Sequence, residues 1–141
     1  MPLWNLHCNE NAYSTEDKQS FAEAITGIYA SVGMPRFYVS VVFHEIPRNS
    51  LFIGGVGRND FVRISIDHIA RSTLPEDRQK MLNFLNRHID PFVKDRGFEW
   101  ELHIDETPRD LWTVQGMFPP PSGSEEEQRW ARENRPCEPT G

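Results

Sequence analysis

Cysteine is scarce in this chain of 141 residues: only Cys8 and Cys137 occur, at opposite ends, and they match neither a zinc spacing nor a C-x-x-C redox motif. A secreted scaffold stapled by disulfides is therefore disfavoured, and a reducing, cytoplasmic setting is expected. Positive charge is also short, with 15 Lys plus Arg against 21 Asp plus Glu and a formal net charge of -6. The arginines are scattered, so no basic stripe is available to neutralise phosphates, and no nucleic-acid partner is expected. Long apolar runs are missing as well. No stretch approaches the ~20 residues of a membrane span, and Met1-Pro2-Leu3-Trp4-Asn5 shows no basic segment followed by an apolar one, so a soluble protein with no membrane partner is expected.

Cofactor and metal motifs are equally thin. Gly54-Gly55-Val56-Gly57 lacks the lysine and the helix start of a phosphate-cradling loop. His7, His44, His68, His88 and His103 include no helical H-x-x-x-H pair, and no serine sits on a nucleophile elbow. No cofactor and no metal are expected.

What is present suffices for one folded domain. A chain of this size buries roughly 70% of the surface that its unfolded form exposes, enough for a core without disulfides or a structural metal. The apolar stretch Leu3 to His7 reads as a strand. Ser14-Thr15-Glu16-Asp17 opens a helix whose apolar face is Phe21, Ala22, Ile25, Ile28, Tyr29 and Val32, and Gly33 with Pro35 ends it. Phe37 to Phe43 is β-branched and aromatic and reads as a second strand. After a glycine-punctuated loop, Phe61 to Asp67 predicts a third. A helix follows from about Thr73-Leu74-Pro75-Glu76-Asp77, with Met81, Leu82, Leu85, Ile89, Phe92 and Val93 on its apolar face, a bend at Pro91 and an end at Gly97. Trp100 to Ile104 predicts a fourth strand, and Pro108 to Trp112 one helical turn.

The order is thus β-α-β twice, an α/β chain of the two-layer α+β kind in which a four-stranded sheet is backed by two helices. One sheet face and two edges stay uncovered, which favours oligomerisation. Phe118-Pro119-Pro120-Pro121 marks a boundary: residues 1–121 are expected to form the domain, and residues 122–141 a C-terminal tail, surface-attached or partly disordered, with an acidic helical start at Ser124.

The residue with distinctive chemistry is Pro2. Removal of Met1 would leave a secondary amine at the start of a buried strand. An α-amino group ordinarily titrates near ~8. An apolar surround and a neighbouring cation both disfavour its protonated form, so a neutral amine near pH 7 is physically attainable. Such an amine can take a proton from carbon beside a carbonyl and return it elsewhere.

The double β-α-β unit beginning at Pro2, together with Glu23-Ala24-Ile25-Thr26, Phe43-His44-Glu45, Phe52-Ile53-Gly54-Gly55-Val56, Ala70-Arg71-Ser72 and Glu106-Thr107-Pro108, resembles the tautomerase superfamily. Within it, the chain is most similar to the fungal and bacterial branch related to cis-3-chloroacrylic acid dehalogenase, over Pro2 to about Pro120. The resemblance implies a tautomerase/MIF-like fold, an N-terminal proline catalyst, a homotrimer and a small carboxylate substrate. It implies that Arg71 binds that carboxylate, for which a planar guanidinium fork is suited. Departures accompany the matches. His68 stands at the place of a second arginine, Tyr29 at that of the helix-one histidine, and His103 at that of the strand-four tyrosine. Val114 stands near where the dehalogenases carry a water-activating glutamate, and a valine cannot activate water.

The resemblance therefore implies an isomerase with Pro2 as general base and acid, Arg71 as anchor, Tyr29 and His103 as further catalytic groups, and His68 beside Arg71 in substrate binding. Glu106 is a weaker candidate at the same strand end. The alternatives are a dehalogenase-like hydratase, decarboxylase or cyclase using the same amine, and a non-catalytic member of the fold.

Overall fold

The computed structural model describes residues 1–139, so the last two residues of the expected tail lie outside it. The chain runs through β1 (Pro2–Asn9), α1 (Thr15–Ala30), β2 (Ser40–Ile46), the short β3 (Phe52–Ile53) and β4 (Val56–Gly57), β5 (Phe61–Ile69), α2 (Arg78–Ile89), β6 (Glu99–Thr107) and α3 (Glu125–Glu133). The main sheet has the order β2-β1-β5-β6. Each outer pair is parallel, as a helical crossover requires, whereas the central pair β1 and β5 is antiparallel, with Pro2 opposite His68. The expected mixed α/β architecture, two β-α-β units side by side in one sheet, is the one observed.

Alternation along the two central strands makes the core. Trp4, Leu6 and Cys8 of β1 and Val62, Ile64 and Ile66 of β5 are buried under Phe21, Ile25, Ile28 and Tyr29 of α1 and Leu85 and Ile89 of α2. With a side-chain period of two, Asn5, His7, Arg63 and Ser65 lie on the other, uncovered face. Helix α1 starts where Ser14 and Asp17 cap each other reciprocally at 3.1 Å. The same Asp17 carboxylate takes two hydrogen bonds from Arg96, tying the start of α1 to the chain beyond α2.

Several boundaries differ from the sequence reading, each for a local reason. The second strand begins at Ser40, not Phe37, because Pro35 precedes a 3-10 turn over Arg36–Tyr38 that sends Tyr38 into a separate cluster. Helix α2 ends at Ile89; Pro91 cannot donate to the helical ladder, and the chain continues in 3-10 turns to Gly97, whose φ of 78° terminates them. Within the expected loop, Gly54 and Gly55 both take positive φ, 59° and 81°, which closes the β3–β4 hairpin.

The segment after Pro121 forms α3, capped by Ser124 and ended by Asn134 in the left-handed region. Trp130 of α3 and the following Cys137 are buried with Tyr38 and Trp112, and Met1, Phe37 and Ile69 pack on the same cluster. Two hydrogen bonds hold the segment down: Trp130 donates to the Cys137 carbonyl at 3.1 Å, and the Phe37 amide donates to Asn134 at 3.1 Å. Both ends of the chain therefore share one apolar cluster, outside the main core.

Candidate active site

Strand β5 carries the chain past the amino end of β1. The Met1 amino group donates to the Ile69 carbonyl at 2.6 Å, and the Ile69 amide donates to the Met1 carbonyl at 2.8 Å. One residue later Ala70 has φ 62°, a left-handed conformation costing a non-glycine residue roughly 1–2 kcal/mol. Its amide is held by the Thr107 carbonyl at 2.8 Å. This tight corner ends β5 and places Arg71 at the rim of a cavity of about 310 Å³, at the small end of the range for ligand sites.

Met1, Tyr38, Arg71, Arg109, Trp112 and Glu127 provide the chemistry of its wall, and Val32, Met34 and Ile69 provide apolar surface. Arg109 is fixed by donation to the Pro119 carbonyl at 2.7 Å and to that of Pro120, and its guanidinium lies 5.8 Å from the centre of the Trp112 ring. Glu127, only 8% exposed, comes from the first turn of α3 and accepts from the Gly123 amide at 3.0 Å.

Electrostatics favour an unprotonated amine here. The Met1 amino group is pushed down to about 5, chiefly by burial; Arg71 and Arg109 act in the same direction and Glu127 opposes them. Pro2 itself is fully buried directly behind Met1.

Behind the cavity lies a buried chain of polar groups. Trp4 Nε1 donates to the Tyr29 hydroxyl at 3.0 Å, and that hydroxyl is 2.8 Å from His68 Nε2. Tyr29 therefore accepts from Trp4 and shares a second hydrogen bond with His68 Nε2, whose direction is set by the tautomer of the ring. Burial first, then Arg71 and the terminal amine, depress His68 to about 4, and burial raises Tyr29 to about 12.

This arrangement has a consequence for stability. The folded pKa of His68, about 4, lies below its ordinary value of 6.5, so between those pH values the unfolded chain binds the extra proton. The stability contributed by neutral His68 is complete above pH 6.5 and is lost as pH falls towards 4. Denaturant titrations of wild type and His68→Gln, which keeps an acceptor for Tyr29, should show the wild type losing on the order of 1–3 kcal/mol more over that interval. Parallel pH curves would rule this account out.

The structure brings together Pro2, Arg71, Tyr29 and His68 of the expected set, with Arg71 on the cavity wall and the others behind it. His103 is elsewhere. It lies 3.3 Å from Arg63 and 3.5 Å from Asp105, and it lines a different cleft with Thr73, Arg78 and Met81. Glu106 accepts from the Thr73 amide at 2.7 Å at that same cleft.

With this geometry, the comparisons with known proteins are specific. The family described as "Putative oxalocrotonate tautomerase enzyme" matches residues 1–135. The chain belongs to this tautomerase family. RhCC from Rhodococcus jostii RHA1 is 47% identical, with 96% of this chain and 99% of that one covered and a TM-score of 0.92. A structure described as a probable enzyme from the thermophilic fungus Aspergillus fumigatus is 42% identical, with 98% and 97% covered and a TM-score of 0.90. N1, a member of the cis-3-chloroacrylic acid dehalogenase family, shares the fold at 19% identity, with 94% and 97% covered and a TM-score of 0.74. No curated protein matches the chain. The superfamily resemblance read from the short motifs is thus the right one.

Sequence reasoning did not single out four wall residues of this tautomerase-family chain: Tyr38, Arg109, Trp112 and Glu127. Three of them looked like ordinary strand, turn or loop residues. Glu127, three residues after Ser124, has the spacing of a helix-capping glutamate, which hides any other use.

Proposed function

We propose that this protein is a tautomerase-like isomerase, acting on a small 2-oxo acid, enol or unsaturated carboxylate through the amine of Pro2 once Met1 is removed. The observation that carries this reading is the burial of the chain's amino end beside a cavity with two guanidiniums, in surroundings that depress a terminal amine to about 5. Without Met1, the secondary amine of Pro2 would open the chain at this same buried end beside Arg71 and Arg109, where burial and the two guanidiniums act against the protonated form.

In the proposed reaction the substrate carboxylate pairs with Arg71 and Arg109. The Pro2 nitrogen removes a proton from the enol oxygen, or from carbon beside the carbonyl, leaving an enolate that the guanidiniums stabilise. The same nitrogen then releases its proton to another carbon, a C–H bond forms, and the amine returns to its starting state. Tyr29 and neutral His68, packed opposite Pro2, keep the rear of the site dry and uncharged. His103, engaged with Arg63 and Asp105, has no part in this scheme. No step requires a metal or a cofactor.

A homotrimer, the assembly that the family resemblance implies, is part of the proposal. It is supported by two unpaired outer strands, β2 and β6, and by exposed Phe52, Val56, Leu111 and Phe118, all of which an assembly would cover.

Intact-mass analysis before and after treatment with 3-bromopropiolate tests the reading. The expected result is a chain lacking Met1 that gains a single adduct, located on Pro2. An active protein that retains Met1, or labelling elsewhere with Pro2 unmodified, would sink it.

A further inference from the structure

The bond that must break to expose Pro2 is itself built into the sheet. Met1 prolongs β1 by one residue. Its amino group donates to the Ile69 carbonyl at 2.6 Å, and its carbonyl accepts from the Ile69 amide at 2.8 Å. One residue of β5 thus occupies both polar groups on the amino-terminal side of the Met1–Pro2 peptide bond. On the other side, Pro2 is buried and lies opposite His68, which is 3% exposed. The Met1 side chain packs on the second apolar cluster, with Tyr38, Trp112 and Trp130, and it lines the cavity.

An aminopeptidase needs these same groups. It must hold the free α-amine and polarise the carbonyl of the first residue, as a metal ion does, and the second residue must enter its cleft. In the folded chain the amine and the carbonyl are taken and Pro2 is enclosed, so presentation requires β1 to leave β5. These are the two central strands of the sheet, and such strands open far less often than termini that fray.

We propose that the Met1–Pro2 bond is a processing site that folding closes: an aminopeptidase cuts it only before β1 pairs with β5. In the cut, water adds across the peptide bond, its hydroxyl to the Met1 carbonyl carbon and its hydrogen to the Pro2 nitrogen, and methionine is released. A chain that folds first keeps Met1 as a plug on the cavity wall, and the proportion of the two forms is fixed during synthesis. The closure does not rest on the isomerase reading, which concerns what the Pro2 amine does once it is free.

The chain retaining Met1, made in cells with methionine aminopeptidase inhibited, tests this when incubated with the purified aminopeptidase at neutral pH. Intact mass follows the loss of methionine, and a peptide spanning Met1 to Asn9 serves as the unfolded reference. The peptide should be cut, and the folded chain at least about 100-fold more slowly, because cleavage then follows the rare open state. In urea below the unfolding transition, the folded chain's rate relative to the peptide's should climb with denaturant as the unfolding equilibrium does. Refolding with the aminopeptidase present should trim chains that its later addition does not reach.

A folded chain cut within about threefold of the peptide's rate would overturn the closure, since no opening then limits cleavage. A relative rate indifferent to urea, or a peptide that is not cut, would overturn it too. If trimmed protein shows no Pro2-dependent turnover while the folded chain still resists, the isomerase reading falls and the closure stands.

Discussion

Pro2→Ala should lower the rate of phenylenolpyruvate ketonisation, measured above the spontaneous reaction, on the order of 10²-fold or more, the range for loss of a general acid-base group. Alanine leaves a terminal amine but frees it to rotate about its bond to the α-carbon, whereas the proline ring fixes the nitrogen lone pair relative to β1. Pro2 is also packed, so the variant loses some ring contacts, and its melting curve must be recorded beside its activity. Equal rates for variant and wild type in folded protein would exclude the amine as the proton carrier. The pH profile adds a signature with a definite sign: the base must be unprotonated, so activity rises with pH through the amine's pKa. Burial and the two guanidiniums act against the protonated amine, so that ascending limb should lie below the ordinary α-amino value of about 8.

Trp130→Ala should destabilise the protein by about 3–5 kcal/mol, as large-to-alanine changes in well-packed sites do. For a chain of this length, that lowers the melting temperature by roughly 10 °C or more. Trp130 is 3% exposed, packs against Tyr38 and Phe37, and donates to the Cys137 carbonyl, so its loss leaves both a cavity and an orphaned acceptor. The same substitution tests the division of the chain at residue 121. If residues 1–121 fold as a unit with the remainder appended, as the proline-rich boundary led us to propose, the sheet melts at an unchanged temperature and only α3 is lost. If α3 belongs to the cooperative unit, circular dichroism and tryptophan fluorescence shift together, and enol turnover falls because the wall carrying Glu127 is displaced.

The sheet and its helices were legible in the sequence because their signals are local. Alternation in Phe61–Ile69, a capped helix at Ser14 and the punctuation at Gly33 and Pro35 each act within a few residues. The strand expected from Phe37 failed for the opposite reason. Phe-Tyr-Val favours a strand locally, but Tyr38 finds a better burial site between Trp112 and Trp130, more than seventy residues away. The site divides in the same way. Pro2 and Arg71 were readable because each has a chemical character that short motifs carry. Arg109 and Glu127 acquire meaning only through placement, Arg109 by hydrogen bonds to Pro119 and Pro120 and Glu127 by the docking of α3, and no pattern of neighbours encodes either. His103, a position inferred from resemblance, lies on β6 facing another cleft of the single chain.

The common apolar cluster at the two ends of the chain has a practical meaning for anyone producing this protein. An affinity tag ahead of Met1 would have to leave through the wall where the amino group meets the Ile69 carbonyl, and it would convert the terminal amine into an amide with no basicity. On the proposed mechanism such a preparation would be inert, and it would be mistaken for a member of the fold that has no activity. A tag after Glu138 would start from exposed chain but close to the helix that carries Glu127, so the linker there needs to be long and polar.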